Sequence, residues 1–177
     1  MRTLPGSASD VGGDRQRQRS IANMLLQTRL FALGTLSNIA HTPPPQKLRL
    51  CTTQDGMLLT LLCNTVSSRE EDSSIRDKTF AVIFNLLSIE TAQLLVTHAR
   101  LLDCLVEAAS TPGTNTPESA GTMAFRSLNA LSQVVTSRGL EEYQVLVRRA
   151  IDQVNVSRRF HDMAVPLESS SPEPEPS

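Results

Sequence analysis

One helix-length stretch occurs three times in this 177-residue chain at almost constant spacing. It reads Ala32-Leu33-Gly34-Thr35-Leu36-Ser37-Asn38-Ile39, then Thr79-Phe80-Ala81-Val82-Ile83-Phe84-Asn85-Leu86, then Ala124-Phe125-Arg126-Ser127-Leu128-Asn129-Ala130-Leu131, at offsets of 47 and 45. Self-similarity at such a period belongs to stacked helical units, because one unit cannot bury its apolar face alone and needs a neighbour of the same kind. Leu36, Ile83 and Leu128 share one register, and Ile39, Leu86 and Leu131 lie three positions further on the same helical face. The expected fold is therefore all-α, a short stack of about three incomplete units. Stacks of this kind bind other proteins far more often than they do chemistry.

Local signals divide the chain further. Residues 1–19, rich in Gly, Ser, Pro and alternating Arg and Gln, are expected to be a disordered N-terminal segment, with Ser20 capping the first helix. The run His41-Thr42-Pro43-Pro44-Pro45 stops that helix, since proline removes donors and forces extended backbone. A short helix is expected over Gln46 to Gln54, broken by Asp55-Gly56. A second follows, with Met57, Leu58, Leu61 and Leu62 as its inward stripe. After the polar insert Ser68 to Ser74, in which Glu70-Glu71-Asp72 is an acidic run open to solvent, a third helix spans Ile75 to Ile89.

The order then recurs. Thr91 to His98 is short, and Leu101, Leu102, Leu105 and Val106 match the earlier stripe at a constant offset of 44. A Thr/Pro/Gly loop covers Ser110 to Glu118, a long helix covers Ser119 to Thr136, and Gly139 interrupts. Glu141 to Val154 is a last amphipathic helix, with Val145, Leu146, Ala150 and Val154 along its inner face. The helical domain is placed at 20–156 and a flexible acidic Pro/Ser-rich tail at 157–177.

Short helix, Gly break, medium helix, polar loop, long helix: with this order the chain resembles the armadillo repeat. In that family the third helix of each unit follows Ala-x-x-x-Leu-x-Asn-Leu-Ala. Ala32, Leu36, Asn38, Ile39 and Ala40 match it, then Ile83, Asn85 and Leu86, then Ala124, Leu128 and Leu131. The two-helix HEAT unit is the nearest alternative. The resemblance covers Ser20 to roughly Val154 and implies an armadillo-like right-handed α-α superhelix. It also implies a concave groove, lined by the third helices, in which the pattern's Asn meets the backbone of a bound peptide. Asn38 and Asn85 fall at that place, although an amide there can equally satisfy a neighbouring helix end. Nuclear-import members of the family place Trp four residues before the Asn. Here those places hold Gly34, Ala81 and Arg126, and the chain has no Trp, so recognition of basic localisation signals is not expected. Arg126 instead makes one end of the groove attractive to acidic segments.

Other functions leave little trace. A net charge of −1 gives no field that calls for nucleic acid or an anionic membrane, and neither is expected as a partner. No segment has the run of about 18 apolar residues needed to cross a bilayer. Cys51, Cys63 and Cys104 form no CxxC pair and read as reduced core residues. A Cys–His nucleophile pair such as Cys51 with His98 is the weaker reading. The histidines at 41, 98 and 161 lie too far apart for zinc spacing, and no metal or cofactor is expected. Thr42-Pro43, Thr111-Pro112, Thr116-Pro117 and Ser171-Pro172 are ordinary loop sequence that phosphorylation could charge. The function expected is a non-catalytic protein-interaction scaffold, cytoplasmic or nuclear, with Asn38, Asn85 and Arg126 in its groove. The alternative is a helical subunit, or a piece of a larger stack, that associates with itself or others through apolar end faces.

Overall fold

In the computed structural model, residues 10–68, 70–111, 116–117 and 119–164 are described. Among them every regular element is helical: α1 (Asp10–Ile39), α2 (Pro44–Thr52), a short 3-10 turn (Thr53–Gly56), α3 (Met57–Ser67), α4 (Ser73–Leu86), α5 (Ala92–Thr97), α6 (Leu101–Ser110), α7 (Ala120–Ser137) and α8 (Glu141–Ala164). The three repeated stretches sit on α1, α4 and α7. Helix α4 packs against α1 on one flank and α7 on the other, while α3 packs against α4 and α6. Helix α8 closes the carboxyl end by packing on both α6 and α7.

The punctuation of the chain has clear local causes. Pro43 is the N-cap of α2 and Pro44 and Pro45 open it, because the first helical positions need no N–H donors and proline's fixed φ suits them. The same prolines that stop α1 thus start α2, two residues earlier than Gln46. Gln54, Asp55 and Gly56 all have positive φ, a left-handed corner that separates α2 from α3 where Asp55-Gly56 predicts a break. Asp72 accepts a hydrogen bond from the Ser74 amide at 2.8 Å and caps α4, and Ser119 caps α7 through the Thr122 amide. Both satisfy donors that a helix start leaves open. Gly139, at φ +63°, ends α7.

The core is aliphatic. Phe80 is a buried aromatic ring within it, and Leu59, Ile75, Ile83, Leu86, Leu95, Leu101, Leu105, Leu128 and Leu131 are buried with it. Its buried hydroxyls are satisfied locally: Thr79 donates to Ile75 O at 2.7 Å and Ser127 to Met123 O at 2.8 Å. Thr91 donates to Leu86 O at 2.7 Å, which ties off the end of α4.

Several sequence expectations shift. Helix α1 begins at Asp10, so Ser20 is an exposed interior residue and not a cap. The Arg/Gln stretch before it consists of good helix formers that extend the helix outward. The first nine residues lie outside the described ones. Met57 and Leu61 are exposed, and the inward stripe of α3 is Leu59, Leu62 and Cys63. In α8, Val145 and Leu146 are exposed, and Val147 joins Ala150 and Val154 inside. In the first copy of the repeat, Ile39 is exposed and Ala40 takes the buried place. Helix α8 continues to Ala164, past the expected boundary at 156, and the acidic end of the tail lies outside the described residues. The acidic run is not merely solvated: Glu71 forms a bidentate pair with Arg29 of α1, and Asp72 caps α4.

Two glycines on the repeat helices have opposite roles. A Cβ on Gly121 would lie 3.1 Å from Ala108 O, because the start of α7 presses on the end of α6, whereas a Cβ on Gly34 would meet nothing within 4 Å. Gly121→Ala should therefore lower stability by about 1–3 kcal/mol through overpacking. Gly34→Ala should raise it by up to about 1 kcal/mol through helix propensity. Urea unfolding of the two variants beside the parent chain checks the signs.

Candidate functional site

The repeat helices α4 and α7 leave a groove of about 600 Å³ between them. Its apolar surface comes from Ala81, Phe84, Met123 and Pro117, and its polar surface from Lys78, Asn85, Arg126 and Asp77 among others. Positions 77, 78, 81, 84 and 85 follow the 3–4 spacing of one helical face, so α4 presents all of them to one side.

Each functional side chain is held in place by a neighbour. Asn85 donates its amide to Ser37 Oγ of α1 at 2.8 Å, which leaves its carbonyl oxygen to accept a further bond. Arg126 holds its guanidinium 5.0 Å from the centre of the Phe84 ring and donates from one terminal nitrogen to Met123 Sδ at 3.8 Å, contacts that orient the cation. Asp77 is engaged: its carboxylate accepts from the Ala120 amide at 2.7 Å. An anion at the amino end of α7 also complements that helix's dipole, so Asp77 fixes where α7 begins relative to α4.

Of the three residues expected in the groove, Asn85 and Arg126 line it together. Asn38 is near the end of α1 and is not part of it. Ala81 lies in the groove beside Asn85 and Arg126. Phe84, Lys78 and Met123 join them without having been expected. The signal for Phe84 is present in the sequence, since it precedes Asn85 in the motif and is the only aromatic residue next to one of the repeat asparagines. Lys78 and Met123 become visible only once α4 and α7 are adjacent.

No family model, no curated protein and no solved structure matches the chain.

The cysteines form a second chemical cluster, away from the groove. His98 stands beside Cys63 (Sγ to Nδ1, 3.8 Å) and Thr60, not beside Cys51. Burial keeps His98 below its ordinary pKa, which disfavours the imidazolium that would activate a thiolate. The Cys104 thiol donates to Cys63 O at 3.9 Å and lies 3.2 Å from the Ser67 hydroxyl; as a thiolate it would accept from Ser67 and from the Cys63 thiol. Those donors hold Cys104 below the usual thiol range against the opposing effect of burial. Cys63, which gives its proton to that bond and is itself buried, is held above it. Burial pushes Cys51 up to about 11, with Lys47 partly offsetting it. Cys104 also lines a cleft of about 410 Å³, open to solvent past Ser73, Glu107 and Thr111, between α4, α6, α7 and α8. There Arg158 of α8 lies 4.3 Å over the Phe125 ring and donates to Ala109 O at 2.9 Å. Among the described residues no group of three or more His, Cys, Asp or Glu side chains could hold a metal ion.

Two outcomes test this description. Asp77→Ala should cost about 1–2 kcal/mol in urea unfolding, the usual value of a missing helix cap. Asp77→Asn, which keeps an acceptor oxygen, should recover part of that. In native protein treated with iodoacetamide at neutral pH, Cys104 should be the first cysteine carboxamidomethylated and Cys51 the slowest, as read by peptide mass mapping over time.

Proposed function

We propose that this chain is a non-catalytic interaction module of armadillo type, in which an extended acidic segment of a partner protein lies in the groove between α4 and α7. The reading rests on one observation: Asn85 and Arg126, from different copies of the repeat, line one groove with Phe84 between them. The amide supplies an acceptor for a backbone N–H, and Phe84 with Met123 supplies apolar surface. Lys78 and Arg126 are the cations left for a carboxylate, because Asp77 is already committed to the start of α7.

Further support comes from the arrangement of α1, α4 and α7. Copies of one sequence motif pack successively through α4, as a superhelical stack requires. No described helix is long and apolar enough to cross a membrane. The three buried cysteines are unpaired, as the reducing cytoplasm or nucleus would keep them.

A peptide-display selection against the full chain tests the proposal. Recovered peptides should be enriched in Asp and Glu. Arg126→Glu should weaken their binding by about 5–30-fold, the range expected when one charge-assisted hydrogen bond is removed. Asn38→Ala should leave affinity unchanged. Binding indifferent to both Arg126→Glu and Asn85→Ala would refute the groove.

A further inference from the structure

Helix α1 has two apolar faces. One carries Leu33 and Leu36 onto the core and Ser37 onto Asn85 of α4. The other, about 150° away at 100° per residue, runs Ile21, Met24, Thr28, Phe31, Thr35 and Ile39. Ile21 is 47% exposed, Met24 62%, Phe31 79% and Ile39 42%. The spacing alternates three and four residues through Thr35, as in the seam of a coiled coil. The two threonines fit such a seam because their hydroxyls are already committed. Thr28 donates to Met24 O at 2.9 Å and Thr35 to Phe31 O at 3.0 Å, so neither seeks water. Large side chains left uncovered in a row are the surface signal that most needs an explanation.

We propose that this face is a homodimer interface, in which α1 packs antiparallel against α1 of a second copy about a two-fold axis near residues 29 and 30. Reversed on itself, the stripe is its own complement. Ile21 meets Ile39 of the other copy, Met24 meets Thr35, and Phe31 meets Thr28. Each large side chain near the centre then faces a small one, the arrangement that fills a helix–helix seam without voids. In a parallel pair Phe31 would face Phe31, Thr28 would face Thr28, and the arginine stretch of one copy would face that of the other. The antiparallel pair instead brings the exposed Arg17 and Arg19 to the carboxyl end of the opposing α1, where the helix dipole favours cations. Arg29 lies off the seam and is neutralised by Glu71.

The other end of the molecule argues for a closed pair. The outward face of α8 carries Glu142, Arg149, Asp152 and Arg159 interleaved with Val145, Val156 and Phe160, all exposed. Four charges interrupt the apolar residues there, whereas the α1 stripe is uncharged and complementary to itself, which favours an isologous interface over head-to-tail growth.

Sedimentation velocity on the full chain should show the mass rising from 19.3 kDa toward twice that value with concentration. Phe31→Glu should weaken the self-association by at least about tenfold while helicity by circular dichroism stays unchanged, since the residue touches little in the monomer. Val156→Glu on the opposite end should leave the dimer intact. For orientation, mixing Ile21→Cys with Ile39→Cys protein under mild oxidation should give a disulfide-linked pair, and Ile21→Cys alone should not. The seam is about 27 Å long between those positions, so self-linkage of Ile21→Cys would mean a parallel pair and would overturn the proposal. A monomer at every concentration, or a dimer indifferent to Phe31→Glu, would overturn it as well.

Discussion

Helix α4 is held on two flanks at once, and the remaining architecture depends on that clamp. Ile83 and Leu86 have no solvent exposure, because α1, α3 and α7 all pack around the same 14 residues. Apolar burial supplies the driving force but little direction. Direction comes from one polar side chain toward each neighbour. Asn85, at the carboxyl end of α4, reaches Ser37 of α1, and Asp77, near its amino end, reaches the first turn of α7. Without either bond the core would stay apolar and packed but free to slide along the helix axis, and the groove would no longer keep its width.

The row of repeat helices was legible in the sequence because its signals agree with one another. The motif set the register of Ile83, Leu86, Leu128 and Leu131, the breaks at Gly56 and Gly139 fall where turn chemistry predicts, and α7 starts where the sequence places it, next to Ser119. Phase within continuous apolar runs was not legible. Met57-Leu58-Leu59 and Val145-Leu146-Val147 offer several stripes of similar hydrophobicity, and the neighbour chooses among them: α4 and α6 select Leu59, Leu62 and Cys63, and α6 and α7 select Val147. The start of α1 was hidden for a different reason. Its first turns have no buried face, so no periodicity marks them, and only the helix propensity of Arg and Gln hints at their state.

The candidate site shows the same division. Asn85 and Arg126 could be found by aligning copies, but alignment treats every copy alike, and the stack does not. Asn38 occupies the equivalent place on α1, where no earlier helix among the described residues forms the second wall of a groove. The first copy thereby acquires a different character: its outer face, which an interior unit would bury, is open and apolar. At the other end α8 presents a charged exterior and uses Arg158 to grip both α6 and α7.

Asp77 lines the groove between α4 and α7 and also the cleft that Cys104 lines. The two spaces are therefore separated there by the thickness of one side chain, and that side chain is hydrogen-bonded to the helix forming both walls. A ligand that draws the start of α7 toward the groove must lengthen this bond or carry the carboxylate with it, and either movement alters the volume behind. The surroundings of Cys104 are in this sense coupled to what occupies the groove.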